Sequence, residues 1–156
     1  MKPASISELK KELQALPPAR LMEVCLRLAK FKNDNKELLS YLLFEEGDLQ
    51  GYIAAVKLEI DEAFATQPKT NLYYVKKHLR KILRGVNKQI KYTGSKVAEI
   101  ELLLYFLMKI KKAGIKVGES PALTTIYLGQ IKKIKKAIES QHEDLQYEYT
   151  KELERL

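Results

Sequence analysis

Few side chains in this sequence have the chemistry for catalysis or for holding a transition metal: two histidines, His78 and His142, and one thiol, Cys25, beside the carboxylates. Glu139 and His142 stand three residues apart. That is the spacing with which helical di-iron bundles present a carboxylate and an imidazole on one helix face. Such a centre needs the pair twice, plus carboxylates from two further helices. Three residues before His78 stands Val75, so the second pair is missing and no metal is expected. Cys25 falls on an apolar helical stripe and is expected to be a small buried hydrophobe, because a reactive thiol needs exposure and a cationic setting. There is no Gly-rich phosphate loop, nucleophile elbow or HExxH segment. Carboxylates in the second quarter of the chain read as a solvated helix surface. The expectation is a non-enzymatic protein with no catalytic residue and no cofactor.

The remaining chemistry is that of cations. Between Glu62 and Glu99 no carboxylate interrupts a run of 36 residues that holds nine Lys and Arg together with His78. Plotted at about 100° per residue, the segment from Leu72 to Tyr92 sorts into two faces. Leu72, Val75, Leu79, Ile82, Leu83, Val86 and Ile90 make the apolar one, and Lys77, Arg80, Lys81, Arg84, Lys88 and Lys91 the basic one. Tyr73 falls inside the basic arc, with Tyr74 and Tyr92 beside it. Rows of lysine suit a phosphate backbone, and an exposed tyrosine suits stacking on an unpaired base. Only five of the 28 basic residues are arginine, so little sequence-specific readout is expected. A second cluster, Lys132, Lys133, Lys135 and Lys136, surrounds Ile131 and Ile134. It joins the first only if folding brings the two helices together.

The elements that must position these residues are all helices. Apolar residues recur with a 3.6-residue rhythm along nearly the whole chain, and no strand alternation is present. Ser5-x-x-Glu8 predicts a capping box at the start of a first helix that ends before Pro17-Pro18. Pro18 suits the first turn of a second helix, whose buried face would be Leu21, Val24, Cys25 and Leu28. A turn at Asn33-Asp34-Asn35 precedes a third helix with Leu38, Leu39, Leu42 and Leu43 inward. Gly47 and Asp48 separate it from a fourth, which buries Leu49, Ile53, Val56, Ile60 and Phe64. After Pro68 comes the basic fifth helix, capped by Thr70 or Asn71. Gly85 falls between its two faces, where close approach of a neighbouring backbone is one reason for a glycine. Gly94 and Ser95 divide the fifth helix from a sixth, apolar nearly all round from Val97 to Ile110 and hence the most enclosed. Ser120-Pro121 opens the last segment. It is read either as one helix or as two with a bend near Ser140, where Ser140-x-x-Glu143 forms a second capping box, and its polar end, about 140–156, is prone to fray.

The predicted fold is therefore all-α, a single domain over 1–156 of seven to eight mostly antiparallel helices with no sheet. It is either a compact bundle or a short α-α superhelix, since successive helix pairs resemble solenoid units in layout although no consensus repeat is found. One cysteine excludes an intramolecular disulfide framework. The most apolar run, Leu102 to Met108, is far shorter than the roughly 20 residues a membrane span needs. With no secretory signal recognisable, the expected compartment is the cytoplasm.

The formal net charge of +8 is unevenly placed. Residues 1–66 carry −2, residues 67–118 carry +11 and residues 119–156 carry −1. Three partners fit this asymmetry. Nucleic acid or another polyanion would bind the basic face at about 73–91. An acidic protein would see the same ridge. A second copy of the chain would bring its acidic 45–62 region onto the basic 76–91 region. A protein-interaction scaffold with no nucleic-acid role is the alternative to polyanion binding. The decisive observation is whether the basic face is open or covered.

Overall fold

In a computed structural model describing residues 1–156, the chain is entirely helical, with no strand. Eight α-helices follow in order: α1 (Ile6–Ala15), α2 (Pro18–Phe31), α3 (Asn33–Ser40), α4 (Leu49–Ala65), α5 (Leu72–Thr93), α6 (Lys96–Lys112), α7 (Pro121–Glu139) and α8 (Glu143–Glu154). A π-helical turn at Tyr41–Glu45 continues α3, and a 3₁₀ turn at Val117–Glu119 precedes α7. No helix is long and apolar enough to cross a membrane. The chain divides into two compact units, Met1–Phe44 and Glu45–Leu156, at a point where the sequence reading placed no boundary.

The first unit forms its helices where local signals direct them. Ser5 and Glu8 close the expected capping box: the Ser5 Oγ accepts from the Glu8 N–H at 3.3 Å, and the Glu8 carboxylate accepts from the Ser5 N–H at 2.8 Å. The Ser5 hydroxyl, which donates to the same carboxylate at 2.7 Å, and then the Ser5 N–H hold the Glu8 carboxyl below its ordinary pKa. Pro18 occupies the first turn of α2. The expected burial is not found. Leu21, Cys25 and Leu28 are exposed and Val24 is half-buried. Leu38, Leu42 and Leu43 are exposed as well, leaving Leu39 half-buried. Within Met1–Phe44 only Ala29 and Tyr41 are buried. The helical period marked the stripes correctly, but three short helices supply too little opposing surface to cover them. Nor do Asp34 and Asn35 cap α3. That helix already begins at Asn33, and the Asn35 amide instead donates to the Leu28 carbonyl at 2.8 Å, tying down the last turn of α2.

The second unit has a continuous core. Ile53, Val56, Ile60 and Phe64 of α4, Val75, Leu79, Ile82 and Val86 of α5, and Leu123, Ile134 and Ile138 of α7 all converge on α6. Helix α6 buries eight residues over its length, from Ala98 to Ile110, and packs against α4, α5, α7 and α8. Phe64 and Phe106 meet edge to face, with ring centroids 5.9 Å apart. Helix boundaries follow the expected signals at Asp48, whose carboxylate caps α4 by accepting from the Gly51 N–H at 2.9 Å, and at Gly94 and Ser95. Gly94 has φ +58°, the left-handed conformation a glycine adopts without strain at a helix end. Gly47 does not use that conformation.

The last segment is two helices, not one. The predicted capping box at Ser140 does not form. Ser140 ends α7 and turns its hydroxyl to the Ala137 carbonyl at 2.7 Å, while His142 caps α8 through Nδ1, which accepts from the Asp144 N–H at 3.4 Å. Helix α8 is anchored by buried Tyr149. Its last turn is tied back by the Lys111 ammonium, which donates to the Arg155 carbonyl at 2.9 Å.

Candidate anion-binding surface

Helix α5 carries the basic face. Asn71 starts it, its side-chain oxygen accepting from the N–H groups of Tyr73 at 3.0 Å and Tyr74 at 3.4 Å. Its 22 residues extend about 33 Å at a rise of 1.5 Å per residue. The amphipathic division read from the sequence holds except at the start of the helix: Val75, Leu79, Ile82 and Val86 are buried, Leu83 and Ile90 are half-buried, Leu72 is exposed, and Tyr73, Lys77, Arg80, Lys81, Arg84 and Lys91 are exposed. The ion pairs Lys57–Glu101, Asp61–Lys109, Lys96–Glu99 and Lys116–Glu119, and the His142–Asp144 contact, involve none of those five cations. Lys88 differs from the rest of the row, being half-buried and already engaged.

Within the second unit the acidic second quarter of the chain does not cover this ridge. Asp61 faces α6, where the Lys109 ammonium lies 2.9 Å away and the Tyr105 hydroxyl donates to both carboxylate oxygens at 2.8 and 2.9 Å. Lys109 first, and Tyr105 second, hold the Asp61 carboxyl below its usual pKa. Glu59 reaches α5 only at its edge, accepting from the Gln89 amide at 3.4 Å, and Gln89 in turn accepts from the Tyr52 hydroxyl. Glu45, Glu46, Asp48 and Glu62 are exposed.

Aromatic groups flank the cations at the start of α5. Tyr73 is 63% exposed and Tyr74 55% exposed, and their rings meet edge to face at 5.3 Å. Tyr92 is buried, so it does not join them. On the α4 side of the ridge, His78 Nδ1 lies 2.6 Å from the side-chain oxygen of buried Gln67. Burial first, and the nearby Lys81 second, push the His78 imidazole below its ordinary pKa. Gly85 lies in the same shallow groove as His78, and no neighbouring atom comes within 4 Å of where its Cβ would stand. The expected backbone approach at Gly85 is therefore absent.

The second basic cluster, Lys132, Lys133, Lys135 and Lys136, is exposed throughout. Folding brings one member of it to α5. Lys133 and Lys91 line a single cavity of about 460 Å³, together with Asn87 and Ile90 of α5 and Gly94, Ser95, Lys96 and Glu99 at the start of α6. Sequence alone could not select Lys133 from the four lysines, because the selection depends on where α7 packs.

Two further cavities lie elsewhere in this unit. One of about 720 Å³ contains Lys57, Glu101 and Tyr149, which satisfy one another. Burial and the Glu101 carboxylate push the Tyr149 hydroxyl up to about 12. The other, of about 860 Å³, has Lys69, Lys109, Lys112 and Lys116 on its walls, of which Lys109 and Lys116 are paired with Asp61 and Glu119. Glu139 and His142 do not share a helix, since Glu139 ends α7 and His142 caps α8. Cys25, expected to be buried, is exposed.

These features define an all-helical protein in which a one-sided basic helix lies open on a well-packed bundle. Comparison with known protein families, with curated proteins and with solved structures found no match.

Proposed function

We propose that the protein is a non-enzymatic interaction domain that binds nucleic acid through α5. The observation that carries this reading is the open row of Lys77, Arg80, Lys81, Arg84 and Lys91, none ion-paired within its unit, beside exposed Tyr73 and Tyr74. Row and rings together favour a single strand, in which phosphates meet the lysines and an unpaired base meets Tyr73. With so few arginines, the contacts position a backbone without reading base edges. The logarithm of the affinity for an oligonucleotide should fall linearly with the logarithm of salt concentration. Reversing both arginines, Arg80→Glu with Arg84→Glu, should weaken binding strongly at low salt. A flat salt dependence, or full affinity in the double variant, rules the reading out.

A second reading draws on a different observation. Ile6, Met22, Leu28, Phe31, Leu43 and Phe44 of the first unit are each more than half exposed. So much uncovered apolar surface in a short segment is the mark of a protein-interaction scaffold, or of self-association. Its signature is association that persists at high salt and disappears when residues 1–44 are removed.

A further inference from the structure

We infer that the nucleic-acid path does not end with α5 but crosses at Lys91 onto α7, with the cavity between Lys91 and Lys133 as a phosphate subsite. The inference rests on the polyanion reading of α5 and adds the position of one further contact.

Three observations support the crossing. The cavity is continuous with the ridge, because Lys91 is both the last cation of the exposed α5 row and part of the cavity wall. Its two unpaired cations come from different helices, Lys91 from α5 and Lys133 from α7, so an anion between them meets charge from two sides. The one carboxylate in the wall, Glu99, is already compensated by the Lys96 ammonium at 2.7 Å. Without an anion, Lys91 and Lys133 line one cavity with no carboxylate of their own, an arrangement that a phosphate relieves. Long flexible lysine side chains can close on a phosphate without requiring a fixed geometry.

The geometry also separates the members of the second cluster. At about 100° per residue, Lys133 and Ala137 lie on one flank of the buried Ile134–Ile138 seam and Lys135 lies on the other. Lys132 and Lys136 point outward between them. A general attraction to the basic surface would use all four alike. A subsite uses Lys133.

The experiment measures anisotropy of a fluorescent oligo(dT) over a salt series, using the full chain and the variants Lys133→Gln, Lys135→Gln and Arg80→Glu/Arg84→Glu. All four positions are exposed, and thermal melts check that each variant is folded. Lys133→Gln should lower the affinity about threefold or more at low salt and reduce the salt slope by about 0.7, the loss of one single-strand phosphate contact. Lys135→Gln should match the parent chain. If Lys133→Gln matches the parent while the double arginine variant is weakened, the subsite is wrong and the α5 reading stands. If Lys133→Gln and Lys135→Gln lose equally, the attraction is diffuse and the subsite is also wrong. If no variant changes binding, the α5 reading fails and takes the subsite with it. If phosphatidylserine vesicles bind with the Lys133 dependence and the oligonucleotide does not, the ligand is a lipid surface and the proposal is overturned.

Discussion

His78 shows how one residue links burial to a measurable pH response. Burial, and then Lys81, lower the pKa of its imidazole in the folded chain, where the Gln67 side chain lies 2.6 Å from Nδ1. In the unfolded chain the ring takes up its proton near its ordinary value of about 6.5. Between that value and the lower folded one, the unfolded form binds more protons, so stability should fall as pH drops through this window. His78→Gln should flatten the dependence of Tm on pH between about 7 and 5. Equal slopes in the two proteins would show that His78 is not the group responsible. Asp61 acts in the same direction but only in stronger acid. Its carboxyl is held low by Lys109 and Tyr105, so the stability it contributes is lost as pH falls below about 4.

At the scale of elements, the helices were legible because their punctuation is local. Ser5-x-x-Glu8, Pro18, Asp48, Asn71 and Gly94 each act within one turn of their own position, and each stands where its chemistry directs. The α5 ridge was legible for the same reason, since a face that meets only solvent needs no knowledge of neighbours. Burial was not legible in α2 and α3. The period shows which residues could face a core, but not whether another element arrives to cover them. Ser140 misled because two N-caps were available within three residues, and the chain used His142. Lys88 and Tyr92 lay outside sequence reasoning too, since what engages a side chain on α5 is decided by packing. The helical glycines offer a test of local physics against tertiary context. Gly85 of α5 has open space at its Cβ position, so Gly85→Ala should stabilise the fold by about 1 kcal/mol. Gly51 of α4 stands against the Asp48 carboxylate that caps its helix. Gly51→Ala should give no such gain, because the new methyl displaces the cap. Thermal melts of the two variants check both directions, and an equal gain in both would refute the role given to Asp48.

For the whole molecule, the division at Phe44–Glu45 separates two kinds of surface. The contiguous core from Ile53 to Tyr149 lies entirely in Glu45–Leu156, as do α5 and Lys133. A fragment of residues 45–156 should therefore keep its helical circular dichroism, melt cooperatively and bind oligo(dT) with the salt slope of the full chain. It should lose any salt-resistant association, because the exposed apolar residues from Ile6 to Phe44 go with the removed segment. A fragment that melts without cooperativity would show that the core is not self-sufficient, and association unchanged by the truncation would remove the scaffold reading.

The enclosure of α6 has a consequence for how the bundle opens. Its buried residues face four other helices, so no peeling of a single neighbour wets the whole of it. The amide hydrogens around Leu102–Leu107 can meet solvent deuterons only when the entire bundle comes apart, whereas those of α1, which buries nothing, need only local fraying. The exchange lifetime of the α6 amides is thus a clock for global opening, and the same clock should slow when an anion occupies the cavity where α6 begins.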